Sequence, residues 1–148
     1  MGDSDPAMTI RVPIGSDADL SWVRQQVRQR AAELAFGLVQ QTKLVTAASE
    51  LARNTLVYGG GGHLEISSLG PGGTDGLRLS FVDEGPGIRD VRLAMTDGYT
   101  TGGGLGLGLS GARRLVDEFE IDTEPGRGTT VTVIAWAAGL PVTTRAVR

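Results

Sequence analysis

The sequence predicts an α/β (α+β) two-layer sandwich: a mixed, mainly antiparallel sheet with its helices on one face. Two observations carry this expectation. Strand-like segments come in pairs joined by Gly/Pro-rich turns, and they do not alternate strictly with helices as a parallel sheet would require. The length, 148 residues with 40% hydrophobic and 21% charged side chains, suits one domain that buries its own core.

The elements follow in order. Residues 1–7, "MGDSDPA", read as a disordered start, and the domain proper as 8–138. "MTIRVPI" (8–14) alternates apolar and polar residues as a strand does, at a sheet edge because Pro13 cannot donate to a ladder. Ser16 or Asp17 can cap a helix whose apolar face is Leu20, Val23, Val27, Ala31 and Leu34, ended by Gly37. A second helix, 38–58, carries the stripe Leu44, Val45, Ala48, Leu51, Ala52, Thr55 and Leu56. "GGGG" (59–62) stops it.

"HLEISSL" and "LRLSFVD" read as strands joined by the turn 70–76, "DVRLAM" as a short helix, and "DGYTTGGGLGLGL" as a loop. "SGARRLVDEF" reads as a third full helix, and "EIDTEPGRGTTVTVIAW" as a strand, a turn at 125–128 and a closing strand. Residues 139–148 read as a loose tail. No internal repeat is present.

Composition excludes several functions. A net charge of −3 does not suit a protein that binds nucleic-acid phosphates. The absence of cysteine rules out disulfides, thiolate catalysis and Cys-ligated zinc, and one histidine, His63, cannot build a multi-His metal site. No apolar run approaches the roughly 20 residues of a membrane span, and no signal peptide opens the sequence, so a cytoplasmic location is the expectation. The 23 glycines, by contrast, are abundant and clustered, which points to backbone approaching a ligand or to linkers.

Three constellations carry chemistry. In "DEGPGI", Asp83 ends a strand, and Gly85 and Gly87 allow a tight turn beneath a flat ligand. Such a carboxylate can accept a hydrogen bond from an exocyclic amine like adenine N6, although Asp-x-Gly alone is ordinary turn chemistry. In "TTGGGLGLGLSGARRL", glycines 102, 103, 104, 106 and 108 precede a helix, so free N–H groups and the positive helix end converge as a phosphate site does. The spaced leucines 105, 107 and 109 do not suit a solvated linker. In "ELARN", Glu50 and Asn54 share a helix face one turn apart. An Asn side-chain oxygen can hold Mg²⁺, and a Glu one turn earlier can act as general base near a γ-phosphate; alone, the pair also suits a solvated helix edge.

Taken together and in this order, the three resemble the Bergerat ATP-binding fold of the GHKL superfamily, which includes DNA gyrase, Hsp90, MutL, histidine kinases and anti-sigma-factor kinases. A fourth element, "GRGTTV", matches the Gly-Thr before that fold's final strand at Thr129 or Thr130. The runs "TAASELARNTLVYGGGG", "VDEGPGI" and "DGYTTGGGLGLGLSGARRLVDEFEI" are most similar to the small serine/threonine switch kinases of the bacterial stressosome and related partner-switching systems.

The resemblance implies ATP and Mg²⁺ as cofactors, Glu50 as catalytic base, Asn54 as metal ligand and Asp83 as adenine ligand. It implies that Gly85, Gly87 and Ile88 shape the adenine pocket and that Gly104, Gly106 and Gly108 contact the phosphates. Gly102, Gly103, Leu105, Leu107, Thr129 and Thr130 complete the implied nucleotide contacts. Its implied phosphoacceptor is a STAS-domain antagonist protein. When released, the kinase would activate a PP2C-type phosphatase; sibling anti-sigma kinases sequester a sigma factor, and some members dimerise through the sheet.

Other readings predict different behaviour. A docking module of the same fold has no need of all these motifs, and a simple ATPase releases phosphate without a protein acceptor. His63 opens a predicted strand, unlike the phosphoacceptor of a histidine kinase, so it reads as a surface or turn residue. Trp22 and Trp136 read as packing or partly exposed aromatics. Of Arg113 and Arg114, one is in position to reach a phosphate.

Overall fold

A computed structural model describes residues 9–71, 75–96 and 108–137. The described elements run β1 (Thr9–Ile14), α1 (Asp17–Glu33), α2 (Leu38–Val57), β2 (Gly62–Leu69), β3 (Gly76–Asp83), α3 (Val91–Ala94), α4 (Leu109–Arg114), β4 (Glu118–Glu124) and β5 (Gly128–Trp136). The strands form one sheet in the order β1-β2-β3-β5-β4. The sheet was expected to be mixed and mainly antiparallel; all four pairings are antiparallel. The segments 1–7 and 139–148 and the loop 97–107 lie outside the described residues.

β1 is an edge strand, as Pro13 requires. Strand alternation sends Val12, Ile14, Leu64, Ile66, Leu77, Leu79, Phe81, Val131 and Val133 to one face, where all are buried. α2 lies across β1, β2 and β3 on that face, with α1 packed beside it. Leu20, Val23, Val27 and Ala31 of α1 are buried, as their spacing predicts. In α2 the expected stripe is buried except Leu56, which packs at its edge, and Ala47 joins it.

Local chemistry sets the helix ends. Asp19 reaches back to accept a hydrogen bond from Gly15 N at 2.7 Å, satisfying a donor ahead of α1 and placing negative charge at its positive end. Gln40 accepts from Gly37 N at 3.2 Å and donates to Trp136 O at 3.0 Å, tying the start of α2 to the end of β5. At the other end of α2, the N–H groups of Tyr58 and Gly59 return to Asn54 O, and Gly61 N returns to Thr55 O. This wound-back turn holds the glycine run against the sheet.

The expected third helix is much shorter than its pattern. α4 ends at Arg114, and the chain has entered β4 by Glu118. Pairing with β5 overrides the local periodicity: Asp117 N donates to Ile134 O at 2.9 Å, and Asp117 Oδ2 accepts from Trp136 N at 2.7 Å. Phe119 and Ile121 then pack beside the core. Among the described residues, no helix is long and apolar enough to cross a membrane.

Candidate functional site

Between α2, the rim of β3, the segment after it, α3 and the start of α4 lies a cavity of about 350 Å³. Leu51, Phe81, Ile88, Leu109 and Val131 give it apolar walls, while Asn54, Asp83 and Thr129 supply polar atoms. A mainly apolar slot with a few fixed polar groups suits a flat heteroaromatic ligand.

Asp83 ends β3, opposite Thr129 of β5 and Gly62 of β2. Its Oδ1 accepts a hydrogen bond from Gly85 N at 2.9 Å. Burial pushes the carboxyl above its ordinary range, against the lowering effect of backbone bonds from Gly85 and Thr129. The carboxylate sits against Gly59: a Cβ on Gly59 would overlap it, and one on Gly85 would run into the Gly59 backbone. The run 59–62 is thus more than a helix stop, because its first residue is where the end of α2 and the Asp83 turn meet without a side chain between them.

Asn54 lines the cavity, and its side-chain oxygen is buried. Glu50, one turn earlier on α2, is half-buried and stands outside the cavity lining. Its carboxylate rests on Gly108, the residue capping α4, where a Cβ would overlap it. Gly108 has φ +66°, which also favours glycine. Glu50 and Asn54 therefore face different parts of the site: Asn54 the cavity, Glu50 the end of the glycine loop. Gly102, Gly103, Gly104, Leu105, Gly106 and Leu107 lie outside the described residues.

Gly87 and Ile88 line the cavity, and Gly85 lies beneath Asp83. The two candidate threonines separate: Thr129 is buried and lines the cavity, whereas Thr130, paired with Val82 and Asp122, faces the opposite side of the sheet. Of the two, the fold therefore brings Thr129 and not Thr130 to the cavity lining. Arg113 and Arg114 are exposed and border a separate depression with Met95 and Ser110.

One residue escaped sequence reasoning. Thr123 of β4 accepts a hydrogen bond from Ile88 N at 2.9 Å, donates to Gly128 O at 3.0 Å and meets Thr129 Oγ1 at 2.8 Å. Its only sequence signal is a threonine at an inward-facing position of a strand, and its partners are set by the β4–β5 register. His63 lies within β2 on the open face, between Arg11 Nη2 and Glu65 Oε2, both at 3.2 Å, as a surface residue would. Trp22 is exposed on α1, and Trp136 is partly buried with its ring N–H on Glu118.

This arrangement defines a nucleotide-binding domain of a known class, and comparison with known proteins agrees. Residues 39–138 match the family of histidine kinase-, DNA gyrase B- and HSP90-like ATPases, and the chain belongs to that family. It is 45% identical over 125 residues to the serine/threonine-protein kinase RsbT of Bacillus subtilis, a match spanning 84% of this chain and 94% of the relative. It is 30% identical over 117 residues to an anti-sigma F factor of a Thermoanaerobacter species, spanning 75% and 80% of the two chains. Within the family the chain is thus an enzyme of the group of small serine/threonine kinases and anti-sigma factors. The same fold recurs in the crystal structure of the RsbU and RsbW domains of Rv1364c from Mycobacterium tuberculosis, with a TM-score of 0.60 at 21% identity over 86% of this chain and 32% of that one.

Proposed function

We propose that the protein is a Mg-ATP-dependent serine/threonine kinase that phosphorylates a small STAS-domain partner in a bacterial partner-switching pathway. The observation that carries this reading is that one helix, α2, sends Asn54 into the Asp83 cavity and Glu50 to the glycine residue that caps α4. The metal-holding and proton-accepting groups of a nucleotide site are then held by a single rigid element beside the Asp83 cavity.

In this reading Asp83 accepts from the adenine amine and Ile88 packs on the ring. Asn54 offers a hard, buried oxygen, the donor chemistry that Mg²⁺ takes, and this ion needs few protein ligands because phosphates and water complete its shell. When bound, Mg²⁺ supplies charge neutralisation at the phosphates. Glu50 accepts the proton of the attacking hydroxyl, which comes from the partner protein. Gly108, together with Gly102, Gly103, Gly104, Leu105, Gly106 and Leu107, belongs to the phosphate loop.

Calorimetric titration with ATP, with and without Mg²⁺, tests the pocket, and transfer from radiolabelled ATP to a STAS-domain protein tests the chemistry. Asn54→Ala loses Mg-dependent binding; Glu50→Gln keeps binding and loses transfer. A Glu50→Gln enzyme that phosphorylates its partner at the wild-type rate would remove Glu50 from the role of base.

In the same reading, the kinase released from its phosphorylated partner activates a PP2C-type phosphatase, acts in the cytoplasm and pairs as a homodimer through the open face of the sheet; sedimentation at micromolar concentration tests the last point. The similarity to anti-sigma F factors favours a second reading, in which sequestering a sigma factor is the main task. Capture of a sigma subunit rather than a phosphatase by the purified protein separates the two.

A further inference from the structure

We infer that Thr123 sets the base specificity of the cavity by taking the hydroxyl hydrogen of Thr129, so that Thr129, like the ionised Asp83 beside it, presents an acceptor to the cavity and the pair selects a 6-aminopurine over a 6-oxopurine. The inference rests on the nucleotide reading above and adds to it a positioning residue that touches no ligand itself.

A threonine hydroxyl has one hydrogen and two lone pairs. Three groups meet Thr123 Oγ1: the Ile88 N–H, the Gly128 carbonyl and the Thr129 hydroxyl. The Ile88 N–H can only donate and the Gly128 carbonyl can only accept. Thr123 therefore spends its hydrogen on Gly128 O, and all three contacts are satisfied together only if Thr129 donates to Thr123. Thr129 lines the cavity with its hydrogen committed behind it, so its remaining lone pairs are what it can present to a ligand. Asp83, its partner in the β3–β5 register, is on the same face and, when ionised, is also acceptor-only.

Two neighbouring acceptors suit an exocyclic amine, which carries two N–H donors. With both turned to the C6 substituent they oppose an oxo group, whose lone pairs would face theirs, and a site selects as much through such repulsion as through attraction. The hydrogen bond from Ile88 N to Thr123 also fixes the apolar wall of the cavity at a set distance from Thr129. A rotated Thr129 hydroxyl, free to donate, would relax the discrimination.

Competition titrations with ATP, ITP and purine riboside triphosphate on the full-length protein provide the test, since the three differ at C6: an amine, an oxo group and a hydrogen. The wild type is expected to rank ATP first, the unsubstituted purine second and ITP last. Thr123→Val, which removes the hydroxyl and keeps the shape, is expected to cut the ATP-to-ITP preference about tenfold, and Thr123→Ser to restore it. A purely structural role would weaken all three nucleotides alike and leave their ratios unchanged. ITP binding as tightly as ATP in the wild type would overturn the inference even if Thr123→Val failed to fold. An unchanged ratio in a folded Thr123→Val would also overturn it, with the nucleotide reading intact. No ATP binding by the wild type would remove that reading and this inference together.

Discussion

The Glu50 carboxylate lies directly on Gly108, so the middle of the central helix and the first residue capping α4 touch without an intervening side chain. Gly108→Ala would add a Cβ where the carboxylate stands and would hold alanine in a left-handed conformation, at about 1–2 kcal/mol. With Glu50 in the proposed role of base, its displacement by an ångström can cost ~100-fold in rate, and a loss of that order in phosphoryl transfer is expected. Gly111, three residues on in α4, has open space around its Cβ position. Gly111→Ala should leave transfer intact and stabilise α4 by up to about 1 kcal/mol. Equal activities in the two variants would show that the Glu50–Gly108 contact is irrelevant to transfer.

Asp83 links stability to pH in the unusual direction for a carboxylate. Its folded pKa is raised, chiefly by burial, so the folded state holds the proton more tightly than the unfolded chain. The stabilising protonation is complete below the ordinary carboxylate value of 3.8 and is lost as pH rises through the folded pKa. Above the folded pKa the unliganded protein therefore carries a destabilising charge. Asp83→Asn is expected to melt higher than the wild type near pH 7, and the gap should close towards pH 3 and below. The same variant should lose ATP binding, the usual exchange of stability for function at a site. A melting difference that grew on acidification would contradict this account.

Gly59→Ala probes the contact between the end of α2 and the Asp83 turn. The new methyl overlaps the Asp83 carboxylate, and neighbouring Gly85 already stands close to the Gly59 backbone. ATP affinity should fall by ~10-fold or more while the far-UV dichroism stays native, since both helix and strand end there and only the site is disturbed. Native affinity in this variant would mean that the turn has room to give.

Core and surface should respond very differently. Phe81 is almost fully buried and also lines the cavity, so Phe81→Ala is expected to cost ~3–5 kcal/mol in urea unfolding. Trp22 is 49% exposed on α1, and Trp22→Ala should stay within about 0.5 kcal/mol of the wild type.

The residues that could be read from sequence were those whose role is local. Leu20, Val23, Val27 and Ala31 announce one buried helix face by spacing alone, and Pro13 announces an edge. An ordered series of motifs singles out Glu50, Asn54 and Asp83 as a set, and the fold brings Asn54 and Asp83 to one cavity with Glu50 one turn away on Gly108. What could not be read depends on pairing between distant strands. α4 ends early because Asp117 bonds to β5, Thr130 faces away because of its place in the β5 alternation, and Thr123 matters only through the β4–β5 register. No window of neighbouring residues contains that register.

The sheet order has a consequence for how the protein comes into being. β5, after β4 in the chain, sits between β3 and β4 and brings Thr129 and Val131 to the cavity. During synthesis, a nascent chain with Asp83 and α2 already outside the ribosome still lacks one wall of its site until β5 emerges and inserts. Nucleotide capture by nascent chains of increasing length would therefore switch on abruptly when that strand clears the exit tunnel, which makes the ligand a reporter of finished topology.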